Sequence, residues 1–506
     1  MTQAAPAIPS VSIDLADLKR KSVRGGMITF ASQGVSVVIQ LTSTVILARL
    51  LSPADYGVMA MVVAVTAFAG LFRDLGLSSA AIQKQLLTHS QQSSLFWINV
   101  ALGTALTGLL AGLSPVVSWF YQQPEVLWVT IAMSGTFLIS SLSTQSGASL
   151  LREMRFGRQS MAGIAGALIT MLVAVGLATH GFRYWSLVWG QIAGAITTTS
   201  LLILLSPFRP GPLHHGEGLK EILRFGANVT AFDLVNYFHR NLDNLLIGRF
   251  WGSDALGFYS RAYTLLMFPI SSFRGPINAV AFPAMSKLQG EPQEFRSYYL
   301  QVTSLIAFLS MPCTAFLFVA SSPVIELTLG KQWLGVVPIF SWLAIAAFIQ
   351  PAFGFVGSFL LSAGNGRRYL ECGCFNALLI TCAFLIGIRW GALGVAMAYA
   401  LANYVIIYPS LSWAFQGSSV CFGDFVEACS WPAITSLIAA GIASCVMNHL
   451  TMFHPAIQVS SLLAIFSTVI GSALLFTSSG RRYRLLFAGV IRTLIKMIGK
   501  DYHNVG

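Results

Sequence analysis

Along most of the chain, apolar residues run on for the length of a membrane-crossing helix, and polar residues are confined to short gaps. Runs of about 17–25 apolar residues are what a helix needs to span a hydrocarbon core. They fall at 27–48, 56–72, 95–118, 126–150, 161–179, 186–205, 225–248, 256–282, 299–320, 338–361, 370–388, 392–413, 431–447 and 457–476, which predicts about fourteen transmembrane helices. The seventh breaks the pattern. Between Glu221 and Arg249 it carries Asp233, Asn236, His239, Arg240 and Asp243 near its middle. At about 100° per residue these side chains, with Asn228 and Asn244, share roughly 160° of the helix circumference. An ionised group at mid-membrane costs about 2.5–3.5 kcal/mol, against about 0.3–0.6 returned by each Leu, Ile, Phe or Val. This face cannot look at lipid; it lines a bundle interior or a wet cavity, which makes it a functional-site candidate.

Composition restricts the class further. Of 506 residues, 55% are hydrophobic and 9% charged, and the mean hydropathy is +0.71. These values exclude a soluble domain of this size and predict an all-α polytopic membrane protein. Lys19, Arg20, Lys21, Arg24, Arg152, Arg155, Arg158, Arg224, Arg367, Arg368 and the tail lie on one side of the predicted topology; Arg49, Arg183, Arg249, Arg261, Lys331 and Arg389 form the sparser set on the other. That bias predicts both termini in the cytoplasm. The net charge of +12 is then mostly a topology signal. Nucleic acid is excluded as a partner because the basic residues are scattered among short loops without aromatic interleaving. The leader is not read as a cleavable signal, since a full-length span follows it. The cysteines lack a C-x-x-C pair and read as packing residues, with no metal or cofactor expected. The tail segment 481–500 spaces Arg484, Arg492, Lys496 and Lys500 at multiples of four, an amphipathic pattern suited to anionic membrane lipids.

The chain repeats itself. ILARLLSPADYG (46–57) aligns without a gap on LIGRFWGSDALG (246–257), setting Arg49 on Arg249 and Gly57 on Gly257, and Arg24 falls on Arg224. A second pairing sets Gly181 and Arg183 against Gly387 and Arg389. Six spans per unit make the repeat parallel, so two pseudo-symmetric six-helix bundles around a central cavity are expected, plus two C-terminal helices. The predicted organisation is a leader at 1–26, a first lobe at 27–205, a linker at 206–220, a second lobe at 221–415, two added helices at 416–480 and a basic tail at 481–506. Gln33, Ser36, Gln40 and Ser43 occupy in the first span the positions of Asp233, Asn236, Arg240 and Asp243 in the seventh. A neutral stripe would thus face a charged one.

The segments A-R-L-L-S-P-x-D-Y-G, LLREMRFGRQS (150–160), N-x-D-N-x-L-I-G-R and AFPAMSKLQ (281–289) resemble the polysaccharide transporter family. These are Wzx-type flippases close to the colanic-acid exporter branch of the multidrug/oligosaccharidyl-lipid/polysaccharide exporter superfamily. The likeness covers roughly residues 20–415 and is weakest in the last two spans. It implies two six-helix bundles in a V, and translocation of an undecaprenyl-pyrophosphate-linked oligosaccharide across the bacterial inner membrane by alternating access. The cargo would be an exopolysaccharide or lipopolysaccharide repeat unit, and the protein partners a polymerase and chain-length or export proteins. A multidrug/cation antiporter of the same superfamily is the alternative. A membrane glycosyltransferase would need a carboxylate pair on a sizeable loop, whereas Asp424 and Glu427 stand nearly alone; the chain is read as a transporter, not an enzyme.

Asp233, Asn236, Arg240 and Asp243 are the first candidates for the cavity: a guanidinium is a bidentate partner for an anionic cargo, while an internal Arg240–Asp243 pair is the competing reading. Gln33, Gln40, Arg274, Arg24 and Arg224 complete the cavity set; Arg274 sits in a Ser-Ser-Phe-Arg-Gly-Pro segment that Pro269 and Pro276 are expected to bend. Arg49, Arg249 and Arg261 are gate candidates, although cations at helix ends also complement the helix dipole and snorkel.

Overall fold

The computed structural model describes residues 15–74, 88–212, 219–481 and 483–484, and within these ranges all side chains except those of 15–27, 30, 74 and 219–240. Among them there is no strand. The helices of the first half are α1 (Leu15–Leu50), α2 (Pro53–Asp74), α3 (His89–Tyr121), α4 (Glu125–Arg152), α5 (Phe156–Thr179) and α6 (Tyr184–Leu205). Then come α7 (Leu219–Lys287), α8 (Pro292–Val319), α9 (Ser321–Thr328), a 3₁₀ turn (Lys331–Val336), α10 (Val337–Phe353), α11 (Val356–Ser362), α12 (Gly366–Gly387), α13 (Gly391–Ala414), α14 (Phe422–Leu450) and α15 (Pro455–Phe476). Eleven stretches of the described residues are long and apolar enough to cross a membrane; one of them, Gly366–Ala414, holds both α12 and α13. Each apolar window of the sequence lies on helix to within a residue or two, apart from one difference. The window 338–361 is divided between α10 and α11 around Gly354 and Phe355. The windows 225–248 and 256–282 lie on one element, α7, whose non-helical backbone at Gly252 (φ 78°, ψ −171°) falls in the gap between them. A positive φ costs glycine nothing, so the chain reverses there and gives α7 two arms, 219–251 and 253–287.

In the first half α1 packs on α5, α3 on α4, and α5 on α6. The α5–α6 crossing is close because Gly166 faces Thr198 and Gly194 faces Thr170, the small-residue contact that lets helices touch in lipid. In the second half α8 packs on α10 and α14, and α13 on α12 and α10. Tyr299 of α8 centres this core, with rings of Phe355, Phe359 and Phe415 at 5.7, 4.8 and 5.9 Å. The C-terminal helices are fastened to it. Arg296 of α8 donates two hydrogen bonds to Asp424, at 3.0 and 2.6 Å, and Asp424 also accepts from the Cys421 amide to start α14. Asp424, read from sequence as isolated, is therefore paired. Beyond α15, Tyr483 is buried against Trp431 at 4.6 Å and Phe308 at 5.4 Å.

The two halves meet most extensively where α2 packs on α7. A Cβ added to Gly57 would lie 1.8 Å from the Ser253 carbonyl oxygen, and one added to Gly257 would lie 1.9 Å from that of Pro53. Both the glycines and their partners are repeat equivalents, so the contact is reciprocal, as at a two-fold interface. Exposed Trp119, Trp128, Phe182, Phe250, Trp251 and Trp390 surround the helix ends on this side, where aromatic rings settle at a membrane–water boundary.

Candidate functional site

The site is built on the turn between α1 and α2. Its first residues cap themselves: Ser52 donates to the Asp55 carboxylate from both its amide (3.0 Å) and its hydroxyl (2.7 Å). Arg183 approaches the other Asp55 oxygen at 3.3 Å. This fixes the first turn of α2 and points the next residue, Tyr56, across to the second half. The Arg261 guanidinium lies 4.3 Å from the centre of the Tyr56 ring. Arg261 is half-buried, its Nε has no hydrogen-bond partner, and it forms no ion pair among the described residues. Stacking on an aromatic face is worth about 2 kcal/mol when desolvated, far less than a buried cation loses on leaving water. Arg261 thus keeps unspent capacity to bind an anion.

Behind Tyr56 lies Trp333, fully buried, with ring centres 5.4 Å apart. Trp333 Nε1 donates to the Ala48 carbonyl at 2.7 Å. The neighbouring Gln332 donates to the same carbonyl at 2.7 Å and to that of Leu51 at 3.2 Å. The gate candidates named from sequence lie at this same end. Arg49 donates to the Leu327 carbonyl at 2.7 Å, reaching from the first half to the second. Arg249 lies 6.0 Å from the Phe120 ring, reaching the opposite way.

The cavity candidates divide. The Asp243 carboxylate is buried, accepting from the Tyr259 hydroxyl and the Asn244 amide at 2.8 Å each. The bond to Tyr259 ties the two arms of α7 together. Arg274 is exposed, and its Nη2 would lie 2.6 Å from a Cβ on Gly354, so it rests on the gap between α10 and α11. Gln33 and Gln40 are exposed on α1, with Ser36 and Ser43 half-buried beside them. The side chains of Arg24, Arg224, Asp233, Asn236, His239 and Arg240 lie outside the described residues. Missed from sequence were Tyr56, Tyr259, Gln332 and Trp333. Tyr56 stood inside the S-P-x-D-Y-G motif and Tyr259 in the stretch 225–269 that shares the family resemblance, whereas Gln332 and Trp333 carry no periodic or motif signal.

An apolar cavity of about 560 Å³ lies between α8, α10, α13 and α14, lined by residues such as Met311, Phe318, Phe348, Phe425 and Leu437.

Two helical halves joined through reciprocal glycines, with an unpaired cation at their junction, define a multi-pass membrane transporter. Its fold is shared with solved structures: a lipid II flippase MurJ in an inward closed conformation superposes with a TM-score of 0.72 at 14% identity, covering 89% of this chain and 99% of that one. An inward-facing MATE-family multidrug resistance transporter gives 0.62 at 14% identity, covering 75% and 94%. A family model described as polysaccharide biosynthesis protein matches residues 46–338, and the chain belongs to that family. It is similar to the lipopolysaccharide biosynthesis protein WzxC of Escherichia coli (strain K12), 24% identical over 79% of this chain and 83% of the relative. It is also similar to the teichuronic acid biosynthesis protein TuaB of Bacillus subtilis (strain 168), 27% identical over 88% and 93%.

Proposed function

We propose that this protein flips an undecaprenyl-pyrophosphate-linked oligosaccharide, a repeat unit of exopolysaccharide or lipopolysaccharide, from the cytoplasmic to the periplasmic leaflet of a bacterial inner membrane by alternating access. The observation that carries the reading is Arg261: a half-buried guanidinium at the junction of the halves, held only by an aromatic face, suits an anionic group that arrives and leaves. With both termini cytoplasmic, as the basic loops indicate, the end where α1 meets α2 faces the periplasm, and the halves are closed on that side. The apolar cavity beside α14 suits part of a polyprenyl tail. Membership of the polysaccharide biosynthesis family supports a saccharide cargo. Arg24, Arg224, Arg240, Asp233, Asn236, Gln33, Gln40 and Arg274 are proposed to line the path, and Arg49 and Arg249 to act at the gate. A polymerase and chain-length or export proteins are the proposed downstream partners. The multidrug/cation antiporter reading fits less well, because an unpaired guanidinium repels a cationic drug.

The test is leaflet exposure of the lipid-linked precursor in cells lacking the protein and complemented with variants. Normal exposure in the null strain, with no redundant transporter present, refutes the flippase reading. Arg261→Gln is expected to lower translocation about tenfold or more, the size of a lost charge-assisted hydrogen bond, and Arg261→Lys to restore part of it. Full activity of Arg261→Gln refutes the assignment of this residue.

A further inference from the structure

The last carbonyls of an α-helix have no partner within it, and in an apolar setting each one left bare is costly. Ala48 in the last turn of α1 and Leu51 just beyond it are in this position, and the donors that satisfy them come from the other half of the molecule. Gln332 and Trp333 sit on the 3₁₀ turn that packs on α9, α10 and α7, whereas α1 packs on α5. Three bonds, Trp333 Nε1 to Ala48 O (2.7 Å), Gln332 Nε2 to Ala48 O (2.7 Å) and Gln332 Nε2 to Leu51 O (3.2 Å), therefore span the junction. Ala48 and Trp333 are both fully buried. Near the end of the first arm of α7, by contrast, the Trp251 indole donates at 2.7 Å to Ile388, a carbonyl of its own half.

We propose that Gln332 and Trp333 are the latch that holds this end shut, and that Tyr56 relays occupation of Arg261 to it. This rests on the reading of Arg261 as the contact for an anionic cargo. Tyr56 touches both parts: Arg261 lies over its ring at 4.3 Å and the Trp333 ring meets it edge-on at 5.4 Å. With no anion present, the guanidinium holds the Tyr56 ring in place and the ring holds the indole, keeping its N–H on Ala48. A diphosphate that draws the guanidinium away removes the support from Tyr56. The indole then loses its packing on that side, and the end of α1 is free to part from the second half. Separation strips three bonds at once from two carbonyls, so the end opens only as water reaches them, an all-or-none step suited to a gate.

Hydrogen–deuterium exchange of the full-length protein in lipid nanodiscs tests the latch and the relay separately. Without ligand, Trp333→Phe, which keeps a ring and removes the N–H, and Gln332→Leu are each expected to speed exchange across 48–57 by about tenfold, the effect of one lost donor to a buried carbonyl. Unchanged exchange there overturns the latch whatever the cargo is. A rise spread equally over α5 and α14 marks general loosening and overturns it as well. With undecaprenyl diphosphate as probe and undecaprenol as control, wild-type exchange across 48–57 is expected to rise with the diphosphate alone, and Tyr56→Leu to abolish the rise. A Tyr56→Leu variant that still responds overturns the relay and leaves the latch standing. A wild type that does not respond overturns the relay together with the anion-contact reading of Arg261, and the ligand-free result still decides the latch.

Discussion

Replacing Gly57 by alanine should drive the two halves apart at the end where they now touch. The added Cβ would lie 1.8 Å from the Ser253 carbonyl oxygen and 2.4 Å from its carbon. Both are backbone atoms, so no side chain can rotate away. Restoring a tolerable contact of 3.0–3.4 Å requires the helices to move by about 1.2–1.6 Å, and overpacking of this kind costs about 1–3 kcal/mol. At about 1.4 kcal/mol per tenfold, the closed population should fall by roughly 5–150-fold. The sign is informative. Alanine is a better helix former than glycine by about 1 kcal/mol, so if α2 and α7 were loosely packed the substitution would be neutral or stabilising. Gly112→Ala in α3, where an added Cβ meets nothing within 4 Å, supplies that reference. Spin labels at positions 125 and 331, exposed on opposite halves at this end, report the separation once the seven native cysteines are replaced. Gly57→Ala should lengthen the distance distribution, Gly257→Ala should do the same, and Gly112→Ala should leave it unchanged. An unaltered distribution in Gly57→Ala, together with a melting temperature no lower than that of Gly112→Ala, would refute the close contact.

Three further outcomes follow from other parts of the molecule. Tyr259→Phe removes the hydroxyl that donates to the buried Asp243 carboxylate and leaves the Asn244 amide bond in place; thermal unfolding should show a loss of about 1.5–3 kcal/mol, the value of a hydrogen bond to a charged group, with Asp243→Asn milder because it removes the buried charge. Asp424→Ala should lower the melting temperature more than Arg296→Ala, since Asp424 both pairs with Arg296 and accepts the Cys421 amide at the start of α14, and equal shifts would show that the cap contributes nothing. Tyr483→Ala removes a buried ring stacked on Trp431 and Phe308, so limited trypsin treatment should cut faster at Arg481 and Arg484 while the unfolding of the remainder is little changed; cleavage at the wild-type rate would mean that the ring does not fasten this segment.

The spans could be read from the sequence because hydrocarbon thickness imposes one length on every helix, and a run such as 161–179 satisfies that condition without reference to any neighbour. The repeat was legible for a similar reason: Arg49 with Arg249 and Gly57 with Gly257 are identities on a line. That Gly57 meets Ser253 and Gly257 meets Pro53 is not on that line, because a repeat gives the equivalence of positions and not which equivalents touch. Asp243 marks the same boundary. Helical periodicity placed it on a polar stripe, but a stripe has only an angle; the reversal at Gly252 decides that part of it turns toward Tyr259 and is satisfied there. The gap between the windows 225–248 and 256–282 announced a turn, and it falls at the glycine whose backbone takes a positive φ. The latch was beyond reach altogether. Trp333 and Ala48 are 285 positions apart, and a Gln-Trp pair between two apolar runs looks like any interfacial loop. What gives it meaning is the unsatisfied end of α1, and the need for a donor at a helix terminus becomes specific only when the fold brings one there.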